Sequence, residues 1–203
     1  DYYEKVDQDQ DYLNRALKYI GKVERNKKIK YYYLSKKSYP DNLISGVPNS
    51  ENDAYTAFYI GEMLERKNKN GVEWLRRAVN LAPDNLEFKI RLANSLFSKK
   101  QIDEAKLIYQ SALELNEKEI SALVNLGFIN QLKGNFPLAL ELTDRALNLD
   151  PLHLRARENL INIYLNMGDF DQGLYLLDLL IEDYPQNQGY IQLKEQIMST
   201  PGI

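Results

Sequence analysis

The stretch that decides the fold is residues 120–153, which read ISALVNLGFINQLKGNFPLALELTDRALNLDPLH. The flanking stretches 86–119 and 154–187 have the same length and align with it without an insertion. Small residues recur at two matched places along this alignment, namely Ala105, Ala139 and Gly173 at one, and Ala78, Ala112 and Ala146 at the other. Small side chains allow two helices to cross closely. The repeat therefore predicts a series of stacked helical hairpins.

The spacing of apolar residues within each repeat is that of helices. Leu86, Ile90 and Phe97 fall on one side of a helix with a period of 3.6 residues. Gly134 and Gly168 stand between the two apolar stretches of their repeats, where a turn needs a residue that tolerates positive φ. No single hairpin of this kind can bury both of its faces, so we expect neighbouring hairpins to share one core.

This pattern resembles the tetratricopeptide repeat (TPR) over about residues 54–198. The matching motifs are Leu126-Gly127, Gly134-Asn135-Phe136, Ala139, Ala146, Gly168-Asp169-Phe170 and Pro185. The resemblance implies an all-α fold, a right-handed α-solenoid of antiparallel helix pairs, with a less regular N-terminal helical hairpin.

The predicted organisation has three parts. They are an N-terminal helical segment 1–40 that could be a divergent repeat, a loop or linker 41–53, and the repeat array 54–203. Within the array we expect a degenerate repeat 52–85, complete repeats 86–119, 120–153 and 154–187, and a cap helix 188–198. The turn inside the degenerate repeat is predicted to be about two residues shorter than usual. The missing initiator Met predicts a processed protein or a domain of a longer one.

The composition excludes several classes of enzyme. The chain has no cysteine and one histidine, His153, so it has no disulfide, thiol nucleophile, Cys-ligated zinc or multi-histidine metal site of its own. It also lacks glycine-rich nucleotide-binding and nucleophile-elbow motifs. We therefore predict a non-enzyme with no catalytic residues, cofactor or metal, in which His153 is a residue of a turn.

The resemblance places a peptide-binding groove on the first helix of each repeat. The groove residues it implies are Ile90, Asn94, Phe97, Ser121, Val124, Asn125, Phe128, Arg155, Glu158, Asn159 and Asn162. Asparagine can both donate to and accept from a peptide backbone, and the apolar members would bind apolar side chains. An alternative is that the asparagines bond neighbouring repeats instead, and the sequence leaves the two readings equally open.

One branch of the family binds chaperone C-termini through a two-carboxylate clamp. Asn94, Asn125 and Arg155 match that pattern if arginine may replace lysine, but Ile90 and Asn159 stand where two cations are needed. Because charged donors give much of the affinity for an anion, chaperone-tail binding is not the favoured reading.

A basic, tyrosine-rich segment at 18–37 supports an alternative function. It has eight Lys or Arg against Glu24 alone, a composition that could bind nucleic acid or an anionic surface. The net charge of −3 favours a solvated helix face instead. The favoured function is thus a scaffold or adaptor that binds a protein or peptide partner. A second alternative is an accessory domain of a larger enzyme. No transmembrane segment is predicted; homo-oligomerisation and localisation, cytoplasmic or exported, stay open.

Overall fold

The computed structural model describes residues 51–199, and this part of the chain contains nine α-helices and no strand. The helices are α1 Glu51–Arg66, α2 Val72–Leu81, α3 Leu86–Ser98, α4 Ile102–Leu115, α5 Ile120–Leu132, α6 Phe136–Leu149, α7 Leu154–Met167, α8 Phe170–Asp183 and α9 Gln188–Met198. The predictions for segment 1–40, including the N-terminal hairpin and the basic stretch 18–37, lie outside the described residues. So does most of the predicted loop 41–53, whose last three residues belong to α1.

The chain divides into two compact units. Unit 1 is residues 1–101, of which the structure describes α1 to α3. Unit 2 is residues 102–203, with α4 to α9 in its described part.

In unit 1, α1 and α2 form a hairpin that closes at a glycine. A Cβ atom at Gly61 would lie 2.8 Å from the Cγ atom of Leu75 on α2, so a larger residue does not fit without movement. Phe88 of α3 is fully buried, and its ring stacks on that of Phe58 from α1 with centroids 4.6 Å apart. Aromatic packing therefore joins α1 to α3 within this unit.

In unit 2, consecutive helices contact one another from α4 to α9, and α5 also contacts α7. At Gly127 of α5, an added Cβ would lie 2.8 Å from the Oγ1 atom of Thr143 on α6. An added Cβ at Gly173 of α8 would lie 2.6 Å from the Cδ2 atom of Leu165 on α7. The small residues in the repeat thus mark the places where helices cross most closely.

The connections that follow α3, α5 and α7 each contain a residue with positive φ. Lys100, Gly134 and Gly168 have φ values of 63°, 73° and 82°, and they are 34 residues apart in sequence. The prediction of a shortened turn between α1 and α2 is wrong. That connection is residues 67–71, longer than the connection 133–135 between α5 and α6, and it is α2 that is short, with 10 residues against 14 in α6.

The first helices of the repeats begin at side-chain caps that also recur every 34 residues. Their acceptors belong to Asn85, Glu119, His153 and Asn187, which receive N–H groups of Phe88, Ser121, Ala156 and Gly189, respectively. Each cap satisfies one of the helix N–H groups that have no partner inside the helix. His153, the single histidine, accepts through Nδ1 at 3.3 Å and so contributes to the beginning of α7.

The loop at 116–119 lacks the proline found at the matching positions 151 and 185. Arg145 of α6 donates from Nη2 to the carbonyl oxygen of Glu117 at 3.1 Å. The Oδ1 atom of Asn116 accepts from the backbone N–H of Lys118, as Asp150 does from that of Leu152 in the next loop. Side-chain hydrogen bonds therefore form this turn without a proline.

Candidate functional site

The helices α5 and α7 are neighbours that run in the same direction. Residues 133–135 reverse the chain between α5 and α6, and residues 150–153 reverse it again before α7. The predicted groove residues lie on α5 and α7 in unit 2 and on α3 in unit 1. The face formed by α5 and α7 is called the inner face of unit 2 below.

The α5 part of the inner face is an accessible stripe along one side of the helix. Ser121, Asn125 and Phe128 are half-buried, and Leu132 is 60% exposed. Asn125 donates from Nδ2 to the carbonyl oxygen of Ser121 at 2.8 Å, a bond within the same helix. Val124, which the sequence places in the groove, is buried and offers little surface to a partner.

On α7, two of the four predicted groove residues are already engaged within the chain. Asn159 is buried, and its Nδ2 donates to the carbonyl oxygen of Val124 at 2.9 Å. Glu158 accepts from the hydroxyl of Tyr190 on α9 at 2.6 Å. Arg155 is exposed and Asn162 is half-buried. The side chains of Arg155 and Asn162 therefore remain accessible on this helix.

The bond from Asn159 bears on the two-carboxylate clamp. At this position the clamp needs a cation that faces the ligand, whereas Asn159 is neutral and directs its amide to the backbone of α5. Within unit 2, Arg155 is thus left without the second cation of the pattern. The alternative interpretation is that the asparagines bond neighbouring repeats. Asn159 makes such a bond, to the backbone of α5, whereas Asn162 makes none within the described residues.

The contact between α7 and α9 is partly buried. Desolvation, followed by the hydrogen bond to Glu158, raises the pKa of Tyr190 to about 12. Lys194 pairs with Asp178 of α8 at 2.6 Å, and Ile197 packs in a cluster with Ile161 and other apolar residues. Helix α9 therefore covers the last hairpin with both polar and apolar contacts.

In unit 1, the predicted residues Ile90, Asn94 and Phe97 are half-buried on α3. Glu62 of α1 is 8% exposed and approaches Arg91 of α3 with an N–O distance of 3.6 Å. Burial raises the pKa of Glu62, and the nearby Arg91 guanidinium opposes that effect. Sequence reasoning missed this pair, although a glutamate flanked by Ile60-Gly61 and Met63-Leu64 is a usable signal.

Sequence reasoning also missed the state of Gln131, which follows Phe128 by one helical turn. Gln131 is 7% exposed, and among the described residues its Oε1 atom has no hydrogen-bond partner. Because a buried amide oxygen normally accepts a hydrogen bond, this atom is an exception on the inner face.

Two other classes of site concern residues 51–199, namely metal sites and membrane-spanning helices. No group of three or more His, Asp or Glu side chains there could hold a metal ion. In the same range, no helix has both the length and the apolar character needed to cross a membrane.

Comparison with known proteins assigns this arrangement to a class of helical repeats. Family models described as tetratricopeptide repeat match residues 86–119 and 132–197. A tetratricopeptide repeat protein from Parabacteroides merdae superposes with a TM-score of 0.67 at 16% identity, covering 92% of this chain and 70% of that one. The TPR protein YrrB, described as having an unusual peptide-binding site, has a TM-score of 0.63 at 23% identity, covering 70% and 74%.

Among curated proteins, anaphase-promoting complex subunit 3 of Dictyostelium discoideum is 27% identical over 147 residues. The match covers 71% of this chain and 14% of that protein, so the chain spans a small part of the relative's length. The fold is an all-α helical-repeat solenoid, as the sequence predicts. The chain belongs to the tetratricopeptide-repeat family, whose fold generally carries protein–protein interaction rather than catalysis.

Proposed function

We propose that this protein is a non-catalytic scaffold that binds a peptide or helix of a partner protein along the first helices of its repeats. The observation that carries the proposal is the accessible stripe on α5. Its first half is polar, with Ser121 and Asn125, and its second half is apolar, with Phe128 and Leu132. Asn162 on the parallel helix α7 adds an accessible amide. In unit 1, the half-buried residues of α3 form a second surface of the same kind.

The chemistry of the stripe suits an extended peptide. An asparagine amide can donate to a backbone carbonyl and accept from a backbone N–H, so it bonds a peptide without reading its sequence. Phe128 and Leu132 supply the apolar contact that contributes most of the affinity in peptide recognition. Because Asn159 and Glu158 are engaged within the chain, we assign them the role of holding α7 and α9 in place.

The curated relative favours a related role in a larger protein. Its name makes it a subunit of a complex, and the matching region is a small fraction of its length. The present chain could therefore serve as the interaction module of a larger polypeptide or assembly. This role uses the same inner face and differs in what the module is attached to.

The proposal is tested by selecting a displayed library of random 12-residue peptides on the immobilised full chain. Phe128→Ala and Asn162→Ala should each weaken the selected peptides about tenfold, since each removes an accessible contact of the inner face. The matched control is Glu141→Ala on α6, an exposed residue outside this face, which should leave binding unchanged.

Two results would contradict the proposal. Full binding by both inner-face variants would move the site to another part of the chain. Binding that disappears at high salt and after neutralisation of the lysines in 18–37 would favour the basic segment instead.

A further inference from the structure

Within residues 51–199, no group donates a hydrogen bond to the amide oxygen of Gln131, which lies on the face proposed to bind peptides. A buried acceptor that has lost water and gained no partner destabilises a fold by about 1–3 kcal/mol. Thr143 Oγ1 is in the same state elsewhere in unit 2, but there the close crossing at Gly127 leaves no room for a partner molecule. Gln131 differs because two side chains near it on the helix, Phe128 and Leu132, are accessible.

Those neighbours are apolar. Residues three and four apart in a helix share a face, so Gln131 adjoins Phe128, which is half-buried, and it is followed by Leu132, which is 60% exposed. No residue of α5 is charged. The acceptor therefore lies in an uncharged part of the helix, beside two side chains that could contact an apolar ligand.

The facing part of α7 is uncharged as well. The bond from Asn159 to the carbonyl of Val124 fixes the register of the two parallel helices. Gln131 follows Val124 by seven residues and Asn166 follows Asn159 by seven, so Gln131 and Asn166 lie at the same level. The two turns of α7 that precede Asn166 contain no Asp, Glu, Lys or Arg. A cationic donor would lose its water here without gaining a carboxylate.

We propose that Gln131 determines specificity on the inner face by accepting a hydrogen bond from the indole N–H of a tryptophan in the partner peptide, whose ring packs on Phe128 and Leu132. The inference rests on the proposed function. Among neutral side chains, indole combines a large apolar surface with a donor and no acceptor, so it leaves no new polar atom without a partner. Tyrosine and the amides would each bring an acceptor as well.

Binding would require a side-chain rotamer change, because the Oε1 atom is covered in the free chain. Changes of this kind are common at interfaces whose backbone moves little.

The experiment is a double-mutant cycle on the full chain. Peptides selected from the 12-residue library should share a tryptophan at one position. Replacing that tryptophan with benzothienylalanine, which has the same shape without the N–H, should weaken binding about five- to tenfold on the wild-type chain. Gln131→Met should weaken the tryptophan peptide by a similar factor, and the two changes together should cost little more than either alone.

Thr143→Val is the matched control, since it also removes a buried oxygen without a hydrogen-bond partner in the described part of the chain, but on α6. It should leave peptide binding unchanged, and thermal melting should show that both variants fold.

Selected peptides that lose affinity with Phe128→Ala but share no tryptophan would overturn the role of Gln131 and leave the proposed function standing. An additive cycle would do the same. The benzothienylalanine arm uses only the wild-type chain, so it remains decisive if Gln131→Met does not fold. Peptides insensitive to both Phe128→Ala and Asn162→Ala would overturn both proposals.

Discussion

The α1/α2 hairpin of unit 1 and the α5/α6 hairpin of unit 2 have different sequences, but in both the two helices cross closely. Both close at a glycine, Gly61 in one and Gly127 in the other, each with an atom of the partner helix 2.8 Å from the missing Cβ position. They differ in the connection, which is 67–71 in the first and 133–135 in the second. The close crossing is thus common to both hairpins, whereas the turn and the length of the second helix vary.

The two hairpins also differ in the polarity of their first helices. Helix α1 buries Glu62 beside Arg91, whereas α5 has no charged residue and buries two amides, Asn130 and Gln131, instead. A stack of hairpins therefore tolerates different buried polar groups, provided that the crossing is preserved.

Gly71→Ala should destabilise the α1/α2 hairpin most. A Cβ atom at Gly71 would overlap with the backbone oxygen of Gly61, and backbone cannot rotate away as a side chain can. We expect a loss of about 3 kcal/mol in the free energy of unfolding. Urea unfolding with hydrogen exchange on α1 and α2 measures it. A loss of unfolding free energy below about 0.5 kcal/mol, as is usual for an exposed substitution, would show that the longer connection shifts to accommodate the Cβ atom.

Gly127→Ala should destabilise the α5/α6 hairpin less, by about 1–2 kcal/mol, because the added Cβ meets a side-chain oxygen and alanine favours a helix. In a Thr143→Ala background that oxygen is absent. The same substitution should then be neutral or stabilising, and urea unfolding of the four proteins measures the coupling. Equal effects in both backgrounds would show that the crossing is not limited by Thr143.

Glu62→Gln should change how stability depends on pH. The pKa of Glu62 is raised in the fold above its ordinary value of 4.5, chiefly by burial, so the folded state holds the proton more tightly than the unfolded chain does. The contribution of Glu62 to the free energy of unfolding therefore falls as pH rises through the range just above 4.5. Subtracting the glutamine variant from the wild type at each pH isolates this effect. A difference that rises with pH would mean that Arg91 outweighs desolvation.

The smallest effects are expected at the connections. Lys100 has a φ of 63°, where a side chain is strained, and Lys100→Gly should stabilise by about 0.5 kcal/mol. Gly134→Ala, at the matching position with a φ of 73°, should destabilise by about 1 kcal/mol. Urea midpoints measure both, and equal signs would contradict this explanation of the turn.

Much of the fold was predictable because its determinants recur. The period of 34 residues, the glycines and alanines at the crossings and the glycine turns are all visible in the sequence. The capping role of Asn85, Glu119, His153 and Asn187 was harder to recognise, since four acceptor side chains occupy one position with three different chemistries.

The candidate site was less predictable, because identical residue types have different surroundings. Asn159 and Asn162 both lie on predicted groove positions of α7, yet one is buried and bonds the backbone of α5 while the other is half-buried. Burial depends on packing between helices that periodicity does not resolve. The hydrogen bond from Tyr190 to Glu158 likewise depends on how α9 packs on α7. The place of either residue within its repeat does not reveal that packing.

The most direct test of the central claim, that the inner face of unit 2 binds the partner, is a backbone chemical-shift map of the full chain with a selected peptide. If this face binds the partner, the shifts should be concentrated on α5 and α7, including the amides of Asn125, Phe128 and Asn162. Shifts confined to α4, α6 and α8, with α5 and α7 unchanged, would contradict it.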